Sequence, residues 1–247
     1  MERATLQRRL TWQVATVTAL TQETPFVRTI ELGVPDWPGH RAGQHLDVRL
    51  TAEDGYRAER SYSIASAPGE PLAITVECLA DGEVSPYLTQ ELQVGDVLEV
   101  RGPVGGYFVW EASTRGPLLL VAGGSGIVPL RSMLRERQRS GSQVPVRLLY
   151  SSRTLDDVIY RDELDGYRDG VSVTHALTRA QPPGWTGHAG RVTPALLREV
   201  AWPAHEGPLA FACGPTSFVE AMAQGLVGLG YPPGRIKTER FGASGGR

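Results

Sequence analysis

The sequence has few cysteines, no long apolar run and no excess of basic residues. Its two cysteines, Cys78 and Cys213, belong to no C-x-x-C motif and no Cys/His cluster. This excludes an iron–sulfur cluster or zinc site held by thiolates of this chain, and we expect no metal site and a reducing compartment. No apolar run approaches the roughly 20 residues of a membrane span, and Met1–Leu10 precedes no apolar signal segment. We therefore expect a cytoplasmic protein without a membrane partner.

The charge and the length narrow the possibilities further. With 25 basic and 27 acidic residues the net charge is −2, whereas a general nucleic-acid binder needs a basic excess to neutralise phosphates. We expect no nucleic-acid partner. A length of 247 residues suits one or two domains of roughly 150 residues each.

The N-terminal half has the pattern of short β-strands. Apolar and polar residues alternate, which is typical of half-buried strands, and Gly or Pro marks the turns between them. The pattern predicts an antiparallel β-barrel or sandwich. Its predicted strands are Gln13–Thr18, Phe26–Leu32, His45–Leu50, Ser61–Ala65, Leu72–Cys78 and Val97–Arg101, with one helix at Val84–Glu91.

Beyond residue 113 the pattern changes to alternating strands and helices. This β-α-β repetition predicts a doubly wound parallel sheet of five strands. The change divides the chain into two predicted domains, 1–113 and 114–247. The predicted strands are Pro117–Ala122, Val146–Tyr150, Val171–Ala176, Leu209–Cys213 and Arg235–Glu239, and the predicted helices are Ile127–Arg139, Leu155–Tyr167, Pro194–Val200 and Thr216–Leu229.

Arg60-Ser61-Tyr62-Ser63, on a predicted barrel strand, is the first candidate site. The Arg60 guanidinium offers a planar fork of donors suited to a pyrophosphate. Tyr62 can stack on a flat ring system, and a neighbouring serine hydroxyl can hydrogen-bond a heteroatom of that ring. These residue types are also common on exposed strands, so a purely structural role stays open.

Gly82-Glu-Val-Ser85 is the second candidate site, because it opens the predicted helix. Backbone N–H groups at a helix N-terminus can bind the same pyrophosphate. Alternatively, Ser85 is only the N-cap, with Pro86 in the first turn.

A third candidate is the glycine loop Gly123-Gly124-Ser125-Gly126, which follows a buried strand and precedes a helix. Glycines allow the backbone to approach a ligand closely, and the helix N-terminus attracts phosphates. The loop therefore predicts a dinucleotide site, although Pro129 occupies the last position of the G-x-G-x-x-G pattern.

The next strand ends in Tyr150-Ser151-Ser152-Arg153, where NAD sites place an acidic residue. Hydroxyl groups and a guanidinium suit a 2′-phosphate instead, which favours NADPH. Thr178-Arg179 and Arg191 are predicted to bind the same phosphate, although exposed arginines are common. Cys213-Gly214 ends a later strand, at the edge of the sheet that binds ligands, but a lone cysteine is more often a small buried apolar residue.

These motifs, in this order, resemble the ferredoxin–NADP reductase superfamily over essentially the whole chain. Further markers are Gly102-Pro103-Val104-Gly105 and Glu239-Arg240-Phe241. The resemblance implies a six-stranded antiparallel barrel that holds FAD, followed by an α/β domain that holds NADP(H), with NAD(H) as the other possible nucleotide. No Cys-rich segment follows, so we expect no fused iron–sulfur domain.

The resemblance also implies a role for each candidate residue. Tyr62 would stack on the isoalloxazine, Ser63 would lie near flavin N5, and Phe241 would pack on the flavin's other face. Ser125 and Cys213 would lie near the nicotinamide. The implied catalytic residues are Ser63, Tyr62, Cys213 and Phe241, and the implied cofactor-binding residues are Arg60, Ser61, Tyr62, Ser63, Gly82, Val84, Ser85, Gly124, Ser125, Gly126, Ser152, Arg153, Thr178, Arg179, Arg191, Cys213 and Gly214.

The predicted function is an NADPH-dependent FAD reductase that passes electrons to a ferredoxin, a flavodoxin or a haem-enzyme system. A row of arginines on one predicted helix would either dock an acidic carrier or form a solvated face. A free-flavin or ferric-chelate reductase without a protein partner stays open, as does a non-catalytic binding module. The four arginines are Arg131, Arg135, Arg137 and Arg139.

Overall fold

In a computed structural model that describes residues 10–242, the first half of the chain is a six-stranded antiparallel barrel. Its strands follow the order β4-β3-β6-β1-β2-β5, and an antiparallel bridge between Ile64 and Ile74 closes it. Apolar residues alternate inward to form one core, as the sequence pattern predicts. The strands are β1 (Gln13–Thr24), β2 (Val27–Gly33), β3 (His45–Thr51), β4 (Arg57–Ser63), β5 (Leu72–Glu77) and β6 (Val97–Val104).

The helix predicted at Val84–Glu91 is a single π-helical turn, Tyr87–Glu91. The Leu92 N–H donates to the Tyr87 carbonyl five residues earlier at 3.0 Å, and the Thr89 hydroxyl donates to the Ser85 carbonyl at 2.7 Å. The wider turn brings Leu88 and Leu92 into the barrel core. Burial of Leu88 and Leu92 thus favours the π-helical turn over the α-helix that the sequence pattern predicts.

The second half is a parallel sheet with strand order β10-β9-β8-β7-β11-β12. The order reverses between β7 and β11, which confirms the doubly wound α/β class. Alternate residues of β7 enter separate cores on the two faces of the sheet. The elements are β7 (Leu118–Gly123), α1 (Ile127–Arg139), β8 (Val146–Ser152), α2 (Arg161–Gly166), β9 (Val171–Leu177), β10 (His188–Ala189), α3 (Pro194–Val200), β11 (Leu209–Pro215), α4 (Thr216–Gly228) and β12 (Ile236–Phe241).

Two details of the second half differ from the sequence prediction. The sheet has a sixth strand, because the two residues of β10 pair with β9. The predicted helix Leu155–Tyr167 is broken into a 3₁₀ turn, Leu155–Asp157, and α2. The break falls at Val158 and Ile159, which are buried in the core, and at Tyr160, whose φ of 61° is left-handed.

The two halves share a core in which Ala65 and Trp110 pack with residues of β7 and α1. The boundary between residues 113 and 114, drawn from the change in sequence pattern, stays a prediction. Polar contacts reinforce this packing, because Arg135 on α1 bridges Glu70 of the barrel and Glu163 of α2 at 3.3 and 2.8 Å.

The arginine row on α1 is therefore not a free docking face. Arg131 and Arg137 are only 8% and 6% exposed. Arg131 pairs with Glu163 at 2.8 Å, and Arg137 donates to the carbonyls of Val144 and Asp169. Arg139 is exposed, and its Nε donates to the Pro68 carbonyl at 3.1 Å. Neither alternative, a docking face or a solvated face, describes Arg131 and Arg137, because both are buried and paired within the fold.

Candidate active site

A cleft of about 470 Å³ lies between the barrel and the carboxyl edge of the parallel sheet, and we call it the first cleft. It brings together segments that are far apart in the sequence. Residues 60–63 of β4, residues 82–85 after β5, Ser125 of the glycine loop and residues 239–242 at the end of β12 all line it.

Ser63 has the clearest unmet hydrogen-bonding capacity in the first cleft. Its side chain is 6% exposed, and its Oγ has no partner among the described residues. A buried hydroxyl without a partner costs free energy unless a ligand completes it. Tyr62 beside it is largely buried, which raises the pKa of its phenol, so the phenol stays protonated. The pair thus offers an apolar ring and an uncommitted hydroxyl to a flat polar ligand.

The hydroxyl of Ser61, by contrast, is already committed. It donates to Asp47 Oδ1 at 2.7 Å, and Arg101 pairs with the same carboxylate at 2.8 Å. The pKa of Asp47 is lowered by these hydrogen bonds despite the opposing effect of burial. Ser61 lines the cleft, but its hydroxyl is not free to bind a ligand in this arrangement.

Arg60 lies at the exposed end of the first cleft, where its guanidinium pairs with a carboxylate of this chain. Its Nη2 is 2.5 Å from Glu83 Oε2, and the Tyr56 hydroxyl donates to Glu83 Oε1 at 2.9 Å. Hydrogen bonds from Tyr56 and Arg60 lower the pKa of Glu83. The Arg60 guanidinium thus already binds a carboxylate. A phosphate presents equivalent oxygen acceptors and would fit the same donors.

Ser85 is not the N-cap of the following helical turn. Its Oγ accepts from the Leu79 N–H at 3.0 Å and thereby closes the loop that carries Gly82. A Cβ on Gly82 would lie 2.8 Å from this Oγ, so the loop requires glycine there. Gly82, Val84 and Ser85 all line the first cleft, as the second candidate motif predicts.

Glu239 on β12 is a site residue that received no role in the sequence analysis. It lines the first cleft, and its Oε2 is buried with no hydrogen-bond partner within residues 10–242. His45 Nδ1 lies 3.9 Å from its Oε1, but burial lowers the pKa of His45 and so keeps that ring neutral near pH 7. Burial raises the pKa of Glu239 to about 7. In the sequence, the only signal for Glu239 as a site residue was its place two residues before Phe241 in the Glu239-Arg240-Phe241 motif.

Glu239 should make stability depend on pH. The pKa of Glu239 in the folded state exceeds the ordinary value of 4.5. Its contribution to the free energy of unfolding is therefore complete below pH 4.5 and is lost as the pH rises through 7. We expect Glu239→Gln to be more stable than the parent by up to about 3 kcal/mol at pH 8 and to gain nothing at pH 4. Urea unfolding at both values measures this difference. The exposed Glu53→Gln variant is the control, and an equal gain at both pH values would contradict the assignment.

A second cleft, of about 190 Å³, follows the carboxyl ends of β7, β8 and β9. It adjoins the first cleft, since Glu77, Ser125 and Phe241 line both. Ligands in the two clefts would therefore be neighbours on either side of these residues. The residues that line the second cleft include Gly124, Ser152, Arg153, Asp157, Thr178 and Phe218.

The glycine loop is seated directly against the end of β11. A Cβ on Gly126 would lie 2.1 Å from the Cys213 carbonyl oxygen, and one on Gly214 would lie 2.9 Å from the Gly123 carbonyl oxygen. Gly124 has a φ of 53° and no atom within 4 Å of the Cβ position. The loop is thus fixed on its inner side and open on its outer side, which suits the close approach of a pyrophosphate.

The three arginines predicted to bind a 2′-phosphate follow adjacent strands. The Arg179 N–H donates to the Arg153 carbonyl at 2.8 Å, and the Gly190 N–H donates to the Leu177 carbonyl at 2.8 Å. Arg153 lines the second cleft, whereas Arg179 and Arg191 are exposed beside it. The carboxylate of Asp157 in the same cleft accepts from the Thr154 hydroxyl at 2.7 Å and from the Thr154 N–H at 3.1 Å.

Cys213 and Phe241 occupy different environments. Cys213 is fully buried, and burial raises the pKa of its thiol well above the ordinary value, so the thiol stays protonated. It does not line either cleft within the described residues, although its backbone supports the glycine loop. Phe241 lines both clefts, while the tail from residue 243 onward lies outside the described residues.

None of the helices within residues 10–242 is both long enough and apolar enough to cross a membrane.

Two family models match successive parts of the chain. The family described as oxidoreductase FAD-binding domain matches residues 15–109, and the oxidoreductase NAD-binding domain matches residues 120–224. Ferredoxin–NADP reductase B of Sorangium cellulosum is 35% identical over 92% of this chain and 96% of that protein. The glycine betaine monooxygenase reductase subunit of Chromohalobacter salexigens is 33% identical over 83% of this chain but only 56% of that protein.

Solved structures show the same fold. The FAD/NAD-binding domain of a Vibrio cholerae nitric oxide dioxygenase aligns with a TM-score of 0.83 at 23% identity, covering 93% of this chain and 98% of that chain. A Neisseria gonorrhoeae ferredoxin–NADP⁺ reductase solved with FAD and NADP aligns with a TM-score of 0.81 at 23% identity, covering 93% and 98%. The chain belongs to the ferredoxin–NADP reductase superfamily, with an FAD-binding barrel followed by an NAD-binding α/β domain.

Proposed function

We propose that this protein is an FAD-dependent reductase that takes a hydride from NADPH in the second cleft and passes the electrons to a redox-protein carrier. The observation that carries the proposal is that the two clefts adjoin, with Ser125 and Phe241 in the lining of both. A nicotinamide ring in the second cleft would therefore lie next to a flavin ring in the first. FAD supplies the hydride-accepting ring, and the protein aligns the two rings.

The residues of the first cleft fit this cofactor. Arg60, Gly82, Val84 and Ser85 would hold the pyrophosphate, with Arg60 exchanging the Glu83 carboxylate for phosphate oxygens. The barrel wall of Tyr62 would receive the isoalloxazine, with Phe241 on the opposite side. The Ser63 hydroxyl, which has no partner among the described residues, would donate a hydrogen bond to the ring.

The choice of NADPH rests on the carboxyl end of β8. Ser152 and Arg153 line the second cleft, where an acid would select NADH. Asp157, the acid of that cleft nearest to Arg153 in the sequence, accepts a hydrogen bond from the Thr154 hydroxyl instead. Arg179 on the neighbouring loop and Arg191 beyond β10 add positive charge for a 2′-phosphate.

We expect Arg153→Ala to raise the KM for NADPH about 10- to 100-fold and the KM for NADH less than threefold. The reason is that a charge-assisted hydrogen bond to phosphate contributes about 1.5–3 kcal/mol. Steady-state kinetics with both nucleotides measures the ratio. Arg198→Ala, which removes an exposed arginine of α3, is the matched control. Equal losses with the two nucleotides would remove the case for NADPH.

The electron acceptor is proposed from the relatives, several of which are named as reductase components of oxygenase systems. A ferredoxin, a flavodoxin or a haem-enzyme system would take the electrons. A free-flavin or ferric-chelate reductase would need the same two clefts and no protein partner. Cytochrome c reduction by NADPH separates the two functions. We expect it to depend on added ferredoxin or flavodoxin and to fall with ionic strength, whereas rapid reduction of free FMN or ferric citrate alone would favour the second function.

We also propose a cytoplasmic location, because Cys78 and Cys213 are both buried and form no disulfide with each other, which fits a reducing compartment.

A further inference from the structure

A chain of buried hydroxyl groups connects the first cleft with a separate cavity. Thr75 on β5 lines the first cleft, and its Oγ1 lies 2.7 Å from Oγ1 of Thr29 on β2. The Thr29 hydroxyl donates to Glu23 Oε1 on β1 at 2.6 Å. Glu23 is half-buried and lines a cavity of about 570 Å³ between residues 21–25 and residues 155–163, which we call the hairpin cavity.

The hydrogen bonds give this chain a direction. Thr29 has one hydroxyl proton, which it donates to Glu23, so it must accept from Thr75. The Tyr160 hydroxyl donates to Thr75 Oγ1 at 2.5 Å, and burial raises the pKa of Tyr160, so the phenol keeps its proton. A hydroxyl oxygen has two lone pairs, and one on Thr75 is left to accept a proton from the cleft.

Under the proposed function, the reaction leaves a proton behind. A hydride is one proton and two electrons, and two one-electron acceptors remove only the electrons. Each NADPH oxidised therefore releases one proton at the first cleft, which the protein must pass to solvent.

We infer that Thr75, Thr29 and Glu23 form a relay that carries this proton from the first cleft to the hairpin cavity. A proton arriving at Thr75 Oγ1 forms one O–H bond, and the original Thr75 proton moves to Thr29. The original Thr29 proton then moves to the Glu23 carboxylate, which releases it to solvent. One proton enters and one leaves, and rotation of the two hydroxyls restores the chain.

A purely structural role would involve a different part of this cluster. Tyr160 lies in the α/β half, and the guanidinium of Arg131 packs 4.1 Å above its ring, so the bond from Tyr160 to Thr75 joins the two halves. The Tyr160 hydroxyl donates to Thr75 in that contact, not to Thr29 or Glu23. Substitutions at Thr29 and at Tyr160 therefore separate the relay from the structural contact. The other charged residues that line the hairpin cavity are Arg131, Asp156, Arg161, Asp162 and Glu163, and these substitutions leave them in place.

The test follows proton release directly in the FAD-loaded protein. The protein is reduced with one equivalent of NADPH and mixed in a stopped-flow instrument with ferricyanide in weakly buffered solution. Flavin absorbance reports electron loss, and a pH-indicator dye reports the proton. In the parent we expect the two signals to coincide. In Thr29→Val we expect the rate of proton release to be at least tenfold lower than the rate of flavin oxidation. In Thr29→Ser, which restores a hydroxyl, we expect the two signals to coincide again.

Two further variants complete the test. Glu23→Gln keeps an acceptor for Thr29 but cannot take a proton, so we expect the same lag as in Thr29→Val even if the valine variant folds poorly. Tyr160→Phe should lower the melting temperature while the two signals still coincide. Coincident signals in folded Glu23→Gln and Thr29→Val would overturn the relay. The proton would then leave by another route, such as His45 and Glu239. Failure of NADPH to bleach the parent flavin would instead refute the proposed function.

Discussion

Ser63→Ala should slow the reduction of bound flavin by NADPH about 10- to 100-fold, while the affinity for FAD changes little. The Ser63 hydroxyl is buried and has no partner among the described residues, so a ring in the first cleft would complete its hydrogen bonding. Hydrogen bonds to charged groups contribute about 1.5–3 kcal/mol, which corresponds to this range of rates. The loss should fall on the rate rather than on binding, because the phosphate contacts proposed for Arg60 and Ser85 would be unchanged.

Anaerobic stopped-flow absorbance measures the rate of flavin bleaching, and flavin fluorescence measures FAD binding. Ser61→Ala is the matched control, since that hydroxyl already donates to Asp47 at 2.7 Å and should affect bleaching less than threefold. An unchanged rate in Ser63→Ala, or an equal slowing in both variants, would show that the hydroxyl does not act on the ring.

Gly126→Ala should disrupt both the stability of the α/β half and nucleotide binding. The new Cβ would lie 2.1 Å from the Cys213 carbonyl oxygen and 2.8 Å from the Gly214 nitrogen. Both contacts are with backbone at the end of β11, so neither can move aside as a flexible side chain would. Overpacking of this kind costs about 1–3 kcal/mol and occasionally more. Any relief must displace the glycine loop from its place beside the second cleft.

Thermal unfolding and NADP⁺ titration check this prediction. Gly228→Ala is the control, because it adds the same methyl group near the end of α4 with no atom within 4 Å of the Cβ position. It should preserve nucleotide binding and raise stability by at most about 1 kcal/mol. A Gly126→Ala protein with the parent's melting temperature and nucleotide affinity would mean that the close approach of loop and strand is not required.

The sequence pattern was most informative where one physical requirement dominated. Alternation of apolar residues located the barrel strands, and the bounds of α1 and α3 match the prediction because each has a continuous apolar face. The segment 155–167 behaved differently. Its helical pattern ignores the capping interaction between Thr154 and Asp157 and the tertiary contacts that bury Val158, Ile159 and Tyr160.

The site could be located from sequence but not described in full. The motifs predicted to bind phosphate and ring are contiguous in sequence, whereas the Glu239–His45 contact and the chain from Thr75 to Glu23 form only when strands from distant segments meet. The arginines of α1 show the converse error. Their spacing indicates a charged helix face, but their partners lie on the barrel and α2, which no local pattern reveals.

The central claim is that two adjoining clefts bring a nicotinamide to a flavin. Anaerobic titration of the FAD-loaded protein with NADPH tests this claim most directly. The account predicts a yellow protein with one FAD per chain whose visible absorbance is bleached by one equivalent of NADPH. A protein that binds no FAD, or one whose bound FAD stays oxidised with both NADPH and NADH, would contradict it.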